Sequence, residues 1–559
     1  MYKKEDKMKR KSLQKATAVT LALAMTCGLA ACGGKDNSNS SGNNAATNNT
    51  SNTGSSASTN NSTATSNNSN DNSTPAARQT ISFSVIDVNA GANNTGDDAA
   101  DIFQQVEDYT GVDIELQWVA NDALAEKNAL YLTSPSTMPN IISWGGTVTG
   151  DVVNAAKNGA FIDLNQYIWD SEKYPNLSAM SKDVAANLTV DGKLIALPRS
   201  RVVGRYGLSY RQDWAEKLGV ELGPNATPDD VYNMLYAFTY NDPDGNGKDD
   251  TIGMEMTKYT GPFDIIQTWF GCGNGWAEVD GKLVPVWMQD EYFEAVDYIK
   301  KLYDDGLMPA DWVTRPTDNW SDGVKKGENG VFIDVLDSGK RIWNYFVAEE
   351  TLTPSVVNPD ETARMVLYGA VNGHTYATAG YNGFFTFSAT TLDTEEKIEA
   401  ALTLMDKLND KDMLILTQYG LEGKNYEMQD GFLVDLDLED KALSNNYMGL
   451  NQLLAFLPST EETNARVPLL RNERDQAQED AYAEALNYAV INPALSYTVN
   501  SETYSLEGAA LDEEATALRT QYVCGSISKE DLIAGLDSIR AKGYDQIIQE
   551  VNDQYQANK

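Results

Sequence analysis

Histidine is nearly absent from this 559-residue chain, since His374 is the only one. A single imidazole excludes zinc sites built on two or more histidines, and any hydrolase triad would depend on that one residue. The sequence also lacks the Gly-x-Ser-x-Gly elbow, a phosphate-binding loop ending in Lys-Ser or Lys-Thr, and the His-Glu-x-x-His motif. The enzyme class that remains is a glycosidase or lyase, which needs only carboxylates, or a tyrosine and an arginine.

Basic side chains are also scarce, because 43 lysines and arginines stand against 81 aspartates and glutamates, a net charge of −38. A surface this acidic repels the phosphates of nucleic acids. We therefore expect no nucleic acid partner, whereas cations and neutral polar ligands remain compatible with the charge.

Cysteine is rare as well. Beyond residue 32 only Cys272 and Cys524 occur, and two cysteines are not a disulfide framework. Whether they form one disulfide or stay as two buried thiols depends on their separation, so both alternatives stay open at this stage.

A long apolar run lies at residues 16–31, behind a segment with seven lysines and arginines. The run is shorter than the roughly 20 residues that cross a bilayer, and this order of basic, apolar and small residues is typical of an export signal. It ends in Leu-Ala-Ala-Cys at residues 29–32, which resembles the lipobox of bacterial lipoproteins. The resemblance implies that Cys32 receives a diacylglyceryl group and becomes the N-terminus after cleavage.

A lipid on Cys32 predicts a protein held at the extracellular face of the bacterial cell membrane, with a signal peptide over 1–31. Removing that peptide leaves 36 basic and 79 acidic side chains, a net charge of −43. Two alternatives stay open, an ordinary secretory signal that contains Cys32 and an uncleaved anchor helix. Residues 32–78 are almost wholly Asn, Ser, Thr, Ala and Gly, which predicts a disordered tether with a reach of roughly 35–40 Å.

Order is predicted to begin at residue 79, with strands and helices in alternation. Residues 79–86 and 112–118 alternate apolar and polar side chains, residues 99–109 have helical character, and residues 139–144 form a short apolar run. Strands separated by helices predict a parallel α/β sheet. Ligands bind such sheets beyond the carboxyl ends of their strands, which places Trp144 and the glycines after it at a binding loop.

Several motifs in this order resemble one family. They are Gly111 with Val112, residues 139–141, residues 161–164, residues 191–198, residues 210–219 and residues 419–426. Together they resemble the extracellular solute-binding lipoproteins of ABC importers, and more narrowly the large carbohydrate-type group related to the alginate oligosaccharide-binding and LplA-like members. The resemblance extends from about residue 79 to the C-terminus.

The resemblance implies a two-lobed periplasmic-binding-protein-like α/β fold, whose discontinuous lobes are joined by crossover strands and close over a ligand. We place lobe 1 at residues 79–200 and 381–460, and lobe 2 at residues 201–380 with a C-terminal helical part at 461–559. Crossings are expected near residues 198–208 and 379–387, with a return after residue 458. The family further implies a monomer that captures an oligosaccharide and delivers it to an ABC permease in the membrane.

Aromatic rings presented from loops stack on the apolar faces of sugars, and the segment 259–312 is dense in them. The predicted ligand-binding residues are Trp144 after its strand, Arg199 and Tyr206 at the first crossing, Tyr381 at the second crossing, and Trp269, Trp276 and Trp312 in the aromatic segment. For each tryptophan the alternative is ordinary burial in a core.

The segment that begins at Asp242 has the oxygen-rich spacing of a calcium-binding loop. The predicted ligands are the side chains of Asp242, Asp244, Asn246 and Asp250, the backbone carbonyl of Lys248, and a sixth oxygen from Thr251, water or a distant carboxylate such as Glu255. Position 12 of the loop does not supply this oxygen, because it is Gly253, where such loops carry a bidentate glutamate. The alternative is an acidic turn without metal. If calcium binds, its role is structural.

The function predicted from these observations is a non-enzymatic substrate-binding lipoprotein of a carbohydrate ABC importer. Two alternatives stay open, a surface lipoprotein that degrades glycans and a receptor for peptides or signalling molecules on the same fold. The sequence does not distinguish the sugar, its length, its linkage or its charge.

Overall fold

The protein is described here by a computed structural model, which covers residues 78–89, 91, 93–317, 320–436, 443–457 and 467–558. The predicted signal peptide, Cys32 and the tether up to residue 77 lie outside the described residues. Within the described ranges, no helix has the length and the apolar character that crossing a membrane requires.

The strands are named in chain order. They are β1 (Thr80–Asp87), β2 (Asp113–Ala120), β3 (Ile141–Trp144), β4 (Thr189–Val190), β5 (Lys193–Leu194), β6 (Ala196–Ser200), β7 (Tyr206–Arg211), β8 (Ile252–Met254), β9 (Trp276–Val279), β10 (Lys282–Pro285), β11 (Asn329–Val335), β12 (Met365–Tyr368), β13 (Thr375–Tyr376), β14 (Tyr381–Phe387), β15 (Tyr426–Gln429), β16 (Phe432–Asp435) and β17 (Ala489–Val490).

The α-helices are named in the same way. They are α1 (Ala99–Thr110), α2 (Leu124–Thr133), α3 (Gly150–Lys157), α4 (Lys182–Ala186), α5 (Gln212–Leu218), α6 (Pro228–Tyr240), α7 (Gly261–Thr268), α8 (Asp290–Asp304), α9 (Asp322–Lys325), α10 (Leu336–Val347), α11 (Glu395–Lys407), α12 (Lys411–Tyr419), α13 (Glu473–Tyr488), α14 (Leu495–Thr498), α15 (Ala509–Val523), α16 (Lys529–Ile539) and α17 (Asp545–Ala557).

Lobe 1 is built on a five-stranded sheet with the order β2-β1-β3-β14-β6. Strands β1, β2 and β3 are parallel, as the alternation of strands and helices predicts, while β14 and β6 run antiparallel to their neighbours. The apolar side chains of β1 and β3 are buried because helices cover both faces of the sheet. Phe83 of β1 and Phe385 of β14 meet edge to face at 5.6 Å in this core.

Lobe 2 is built on a second sheet with the order β12-β7-β11-β8. Its core joins the sheet to α5–α8 and to the C-terminal helices α15–α17, through buried side chains such as Trp214, Phe263 and Val523. Helix α6 begins at a capping box, because Thr227 caps it in a reciprocal pair with Asp230 and Pro228 occupies its first turn.

Within the described residues the chain passes between the lobes in two places, and a third stretch follows the same boundary. The return expected after residue 458 begins outside the described residues. Boundary segment 1 is residues 201–205, between β6 of lobe 1 and β7 of lobe 2. Boundary segment 2 is residues 377–380, between β13 and β14. Boundary segment 3 is residues 491–494, after β17, which pairs in parallel with β13. The α/β two-lobed fold is therefore confirmed, while the residue limits assigned to each lobe from sequence remain predictions.

One ion pair fixes boundary segment 1 to lobe 2. Arg205 donates two hydrogen bonds to Asp337 at the start of α10, with N–O distances of 2.9 and 3.0 Å, and the hydroxyl of Tyr482 donates to the same carboxylate at 3.0 Å. Burial alone would raise the pKa of Asp337, but the hydrogen bonds and charges of Arg205 and Arg341 lower it below its ordinary value. The ionised carboxylate is therefore the form that the fold stabilises.

This pair makes stability depend on pH. Because the pKa of Asp337 is lowered by folding, its contribution is present above the unfolded pKa of about 3.9 and is lost as the pH falls through the folded pKa. We expect Asp337→Asn to lower the free energy of unfolding by about 3 kcal/mol at pH 7, with a deficit that shrinks as the pH falls well below about 3.9, toward about pH 2, as measured by urea denaturation.

The control is Asp229→Asn, which removes an exposed carboxylate from the first turn of α6 and is expected to change stability by less than about 1 kcal/mol. A deficit for Asp337→Asn that stays the same from pH 7 to about pH 2 would contradict the role assigned to the ion pair.

Candidate ligand-binding cleft

Three neighbouring cavities lie along the boundary between the lobes. The largest, here the interlobe cavity, has a volume of about 400 Å³. A second of about 210 Å³, the lobe 2 cavity, lies beneath the C-terminal helices, and a third of about 230 Å³ lies beside α3. Leu495 lines all three, so they are parts of one cleft.

The floor of the interlobe cavity is formed by the boundary segments, which are hydrogen-bonded to one another. The N–H of Thr378 donates to the carbonyl of Val203 at 3.0 Å, and the N–H of Ala377 donates to the carbonyl of Val490 at 3.2 Å. The buried amide of Asn274 in lobe 2 donates to the carbonyls of both Ala377 and Val490, at 2.9 and 2.8 Å. This network holds the residues that line the cavity at fixed spacing.

Tyr381 reaches the cavity because β14 is irregular at its start. The pairing of β14 with β6 shifts register between Tyr381 and Phe384, as in a β-bulge. Gly383 lies at the shift with a φ of 88°, and a Cβ there would lie 2.7 Å from the carbonyl oxygen of Trp144. Only glycine fits this position, and the bulge re-aims Tyr381 into the boundary, where it lines two of the cavities.

Tyr206 lines the same cavity from the first residue of β7. Its ring meets that of Tyr376 edge to face at 5.4 Å, and Thr375 fixes the backbone by donating to the carbonyl of Tyr206 at 2.9 Å. Burial raises the pKa of Tyr206 to about 12, so its hydroxyl remains protonated at neutral pH and is able to donate a hydrogen bond. Lobe 1 and lobe 2 thus each present a tyrosine to the interlobe cavity.

Amide side chains supply most of the polar lining. Asn187, Asn274, Asn382 and Asn492 all border the interlobe cavity. A carboxamide is both a donor and an acceptor, so it matches a hydroxyl group in either role. Sequence analysis did not single out these residues, because no periodicity or motif marks them.

The lobe 2 cavity is lined largely by aromatic rings. Trp276 stacks on Tyr544 with ring centroids 6.0 Å apart, and Trp287 meets Tyr544 edge to face at 5.1 Å. The hydroxyls of Tyr504 and Tyr544 donate to Asp512 at 2.8 and 2.7 Å. Burial raises the pKa of Asp512 even though these two hydrogen bonds lower it.

Two donors in the lobe 2 cavity have no partner among the described residues. They are Nε2 of Gln267 and Nε of Arg519, both fully buried atoms on residues that line the cavity. Arg519 is otherwise paired with Asp264 at 2.5 Å. A buried donor without an acceptor is costly, so these atoms indicate room for the oxygen of a ligand.

Of the seven predicted ligand-binding residues, the structure brings three to the cleft. Tyr206 and Tyr381 line the interlobe cavity, and Trp276 lines the neighbouring lobe 2 cavity. The loop after β3, which was predicted to bind ligand, also reaches the cleft, but through Thr147 and Val148 rather than through Trp144.

The other three tryptophans lie in the cores of the lobes. Trp144 stacks on Phe384 at 5.8 Å and donates its indole N–H to Thr386 at 2.8 Å. Trp269 and Trp312 are each 1% exposed within lobe 2. Their rings are enclosed by protein, so we leave these three residues out of the ligand site proposed below.

Arg199 lies on β6, at the lobe 1 end of boundary segment 1, but it does not line the interlobe cavity. Its guanidinium is 5.8 Å from the ring of Phe456, and its Nη2 donates a long hydrogen bond of 3.4 Å to the carbonyl of Asn451. Burial, together with the charge of Arg201, lowers the pKa of Arg199 to about 10. We therefore leave Arg199 out of the ligand site as well.

The predicted calcium loop is held by its own side chains. The amide of Asn246 donates to Asp244 at 2.6 Å and to Asp250 at 3.1 Å, and the N–H of Gly247 donates to Asp242 at 3.1 Å. Burial and the neighbouring carboxylates of Asp242 and Asp250 raise the pKa of Asp244. Within the described ranges, however, no three His, Cys, Asp or Glu side chains converge as metal ligands do.

Neither side chain considered for the sixth calcium ligand faces the loop. The hydroxyl of Thr251 donates to the carbonyl of Phe238 at 2.8 Å. Glu255 accepts from the N–H of Gly323 at 2.7 Å and from Arg315 at 3.3 Å, and burial raises its pKa to about 7. Both groups are thus occupied within lobe 2.

The remaining reactive side chains have no part in the cleft. Cys272 and Cys524 are free thiols, and burial raises the pKa of each to about 12. The Nδ1 of His374 lies 2.7 Å from the carbonyl oxygen of Asn372, in a turn between β12 and β13. The single histidine is therefore a hydrogen-bonded loop residue.

Comparison with curated proteins gives two matches along most of the chain. The protein is 31% identical over 471 residues to lipoprotein LipO of Bacillus subtilis (strain 168), covering 83% of this chain and 90% of LipO. It is 27% identical over 467 residues to the polygalacturonan/rhamnogalacturonan-binding protein YtcQ of the same organism, covering 82% of this chain and 88% of YtcQ. No family model matches the chain.

Comparison with solved structures shows the same fold. A solute-binding protein associated with an HMO-binding ABC transporter of Bifidobacterium longum infantis superposes with a TM-score of 0.60 at 21% identity, covering 86% of this chain and 98% of that one. A second match is the EF-hand mutant of the substrate-binding protein FusA of Streptococcus pneumoniae, in complex with fructo-nystose. It superposes with a TM-score of 0.60 at 18% identity, covering 86% of this chain and 100% of that one.

These matches confirm the family that the sequence motifs resemble. Both curated relatives align with more than four-fifths of the chain, and the structural relatives share its two-lobed architecture. Proteins of this kind bind a substrate for a transporter and are not enzymes. The chain belongs to the carbohydrate-type solute-binding lipoproteins of ABC importers.

Proposed function

We propose that this protein captures an oligosaccharide in the cleft between its lobes and delivers it to an ABC permease in the membrane. The observation that carries this proposal is the composition of the cleft. Tyr206 of lobe 2 and Tyr381 of lobe 1 border one cavity, four asparagines line it, and Trp276 lies in the adjoining cavity.

This lining matches the surface of a sugar. A sugar ring has apolar faces of C–H groups and a rim of hydroxyls, so it stacks on aromatic rings and exchanges hydrogen bonds with amides. The unpartnered donors of Gln267 and Arg519 in the lobe 2 cavity supply further sites for sugar oxygens. Amino acid and metal ligands would leave the aromatic rings unused.

The mechanism we propose is closure of the lobes around the ligand. A ligand in the interlobe cavity touches both lobes at once, so it binds the closed arrangement more tightly than the open one and shifts the population toward it. The boundary segments are the connections about which the lobes move. The permease then distinguishes the closed, loaded form from the open form.

The proposed cellular arrangement follows from the N-terminus. Lipid on Cys32 anchors the protein at the extracellular face of the membrane, and the Asn/Ser/Thr-rich tether keeps the lobes close to the permease while leaving them free to turn. The protein acts as a monomer, since one chain contains both lobes and the whole cleft.

The relatives indicate which sugars to test first. The name of YtcQ specifies polygalacturonan and rhamnogalacturonan, and the name of a partial match, FusA of Streptococcus pneumoniae, specifies fructooligosaccharides. Both are polymers of sugars that offer several rings to a long cleft. Plant, algal and host oligosaccharides therefore form the panel for the first screen.

The expected result of that screen is a raised midpoint of thermal unfolding with one class of oligosaccharide. A ligand at 100 times its Kd stabilises the folded protein by about 2.7 kcal/mol, and it should be recovered chemically unchanged. We expect Tyr381→Ala and Tyr206→Ala each to weaken binding about 5- to 30-fold in calorimetric titrations, because each removes a ring from the cavity.

The control variant is Tyr109→Ala, which removes a half-exposed ring from α1 on the outside of lobe 1 and should leave affinity unchanged. Conversion of the sugar to a product would contradict the binding function. Equal loss of affinity in all three variants would contradict the placement of the ligand in the cleft.

We also propose that the loop at Asp242 binds calcium in a structural role. The side-chain oxygens of Asp242, Asp244, Asn246 and Asp250 and the carbonyl of Lys248 have the order of ligands that calcium prefers, and Oδ1 of Asp242 is buried without a partner. Water completes the site, since Thr251 and Glu255 are occupied elsewhere. The EF-hand named for the FusA structure supports a calcium loop in such proteins.

Calcium should therefore stabilise lobe 2 without being required at the cleft. Adding calcium after treatment with a chelator is expected to raise the midpoint of thermal unfolding, and Asp244→Asn combined with Asp250→Asn should abolish that rise. The matched control is Asp249→Asn, a neighbouring acidic residue outside the proposed ligand set. No calcium-dependent shift in the unaltered protein would refute the site.

A further inference from the structure

We infer that the oligosaccharide bound in the interlobe cavity is acidic, and that Arg201 binds the carboxylate of one of its hexuronic acid units. This inference rests on the proposed function and specifies its ligand. The juxtaposition that carries it is a half-buried arginine on boundary segment 1, without an ion-pair partner among the described residues, in a cavity that three tyrosines and four asparagines also line.

Arg201 is held at the cavity by its backbone, while most of its guanidinium is unused. Its N–H donates to the carbonyl of Gly380 at 2.8 Å, which joins boundary segments 1 and 2. Its side chain makes one hydrogen bond, from Nη1 to the carbonyl of Ser200 at 2.8 Å. Because a guanidinium carries five N–H donors, the remaining donors are available to a ligand in the cavity.

No carboxylate lies within ion-pair distance of Arg201 in the described part of the chain. The adjacent Arg205 is paired with Asp337, but Arg201 forms no ion pair with any described residue. Burial, and then the positive charge of Arg205, lowers the pKa of Arg201, although the charge of Asp337, which forms no ion pair with Arg201, acts in the opposite direction. A desolvated cation beside a second cation is unfavourable, and an anion in the cavity would relieve that cost.

An arginine without a carboxylate partner contrasts with the acidic composition of the whole chain. The whole chain has 81 acidic and 43 basic residues, so carboxylates for surface arginines are abundant. Nevertheless, the charged residues that line the interlobe cavity are two arginines and one aspartate, Asp183, which is exposed at the start of α4. Arg205 is paired with Asp337, and Asp183 is exposed. Arg201 is therefore the half-buried charge of this cavity that lacks an ion-pair partner among the described residues, which favours an anionic group beside it.

The chemistry of the lining narrows the ligand to a uronate. A guanidinium matches the planar carboxylate with two parallel hydrogen bonds, and the carboxylate of a hexuronic acid projects from the edge of the sugar ring. The ring faces remain available to Tyr206 and Tyr381. A free inorganic anion would satisfy Arg201 but would leave the tyrosines and asparagines without partners.

The test compares trigalacturonate with its fully methyl-esterified form, which keeps the sugar rings and loses the charge. Calorimetric titration of the purified protein should show trigalacturonate binding at least 10-fold more tightly than the ester. Arg201→Gln should weaken binding of trigalacturonate about 10- to 100-fold and leave binding of the ester within about 3-fold. Arg201→Lys should retain an intermediate affinity, because lysine keeps the positive charge but cannot donate the two parallel hydrogen bonds of a guanidinium.

The matched control is Arg540→Gln, which removes the same charge from an exposed helix end far along the chain and should change neither affinity. Thermal unfolding of each variant without sugar verifies that it is folded. Equal affinity for the acid and the ester, or an equal loss of both in Arg201→Gln, would overturn the inference. If neutral oligosaccharides bind and trigalacturonate does not, the inference fails while the proposed function stands; if no oligosaccharide binds, both fail.

Discussion

The cleft depends on the hydrogen bonds that join the boundary segments to one another. Segments 1 and 2 are joined by the hydrogen bond from Thr378 to Val203, and segments 2 and 3 lie beside the pairing of β13 with β17. Asn274 of lobe 2 donates to the carbonyls of Ala377 in segment 2 and of Val490 in β17. Buried backbone groups need partners, and here the partners come from stretches separated by as many as 216 positions. The same bonds that satisfy the backbone therefore fix the positions of the ligand-binding side chains.

Around this connection the protein divides its aromatic residues between two tasks. Trp144, Trp269 and Trp312 fill the cores of the lobes, where their burial stabilises the fold. Tyr206, Tyr376 and Tyr381 lie instead at the boundary, where each ring has one side against protein and another toward a cavity. Tyrosine suits this position because its hydroxyl bonds to polar groups while its ring remains apolar.

Charge is divided in a similar way. Acidic residues dominate the outer surface, whereas three arginines lie within seven residues at the first passage between the lobes. One of them, Arg205, is neutralised by Asp337 and fixes boundary segment 1, and the other two have no carboxylate partner among the described residues. A structural cation and a ligand-binding cation thus lie side by side, and only their surroundings distinguish their roles.

Much of the fold could be predicted from the sequence, because β1 alternates apolar and polar side chains, β3 is a short apolar run, and helices separate the strands. Tyr206 and Tyr381 were chosen because the chain was expected to pass between the lobes there, and both line the interlobe cavity, while their binding of a ligand remains a prediction. Trp269 and Trp312 show the limit of this approach, because composition does not separate a buried ring from an exposed one.

The amides and arginines of the cleft were missed for a different physical reason. Asn187, Arg201 and Asn492 are distant in sequence and have no common spacing, so only the folded chain brings them to one cavity. A dense group of arginines in an acid-rich chain was the one available signal. This group is visible in the sequence, but the role of each arginine depends on whether a carboxylate lies beside it in the folded protein.

The central claim is that a sugar binds between the lobes, and a crystal structure of the complex tests it most directly. The protein should be crystallised with the oligosaccharide that raises its unfolding midpoint. The account predicts electron density for sugar in the interlobe cavity, in contact with Tyr206 of lobe 2 and Tyr381 of lobe 1 at once. Sugar bound on one lobe alone, outside the cavity, would contradict the account.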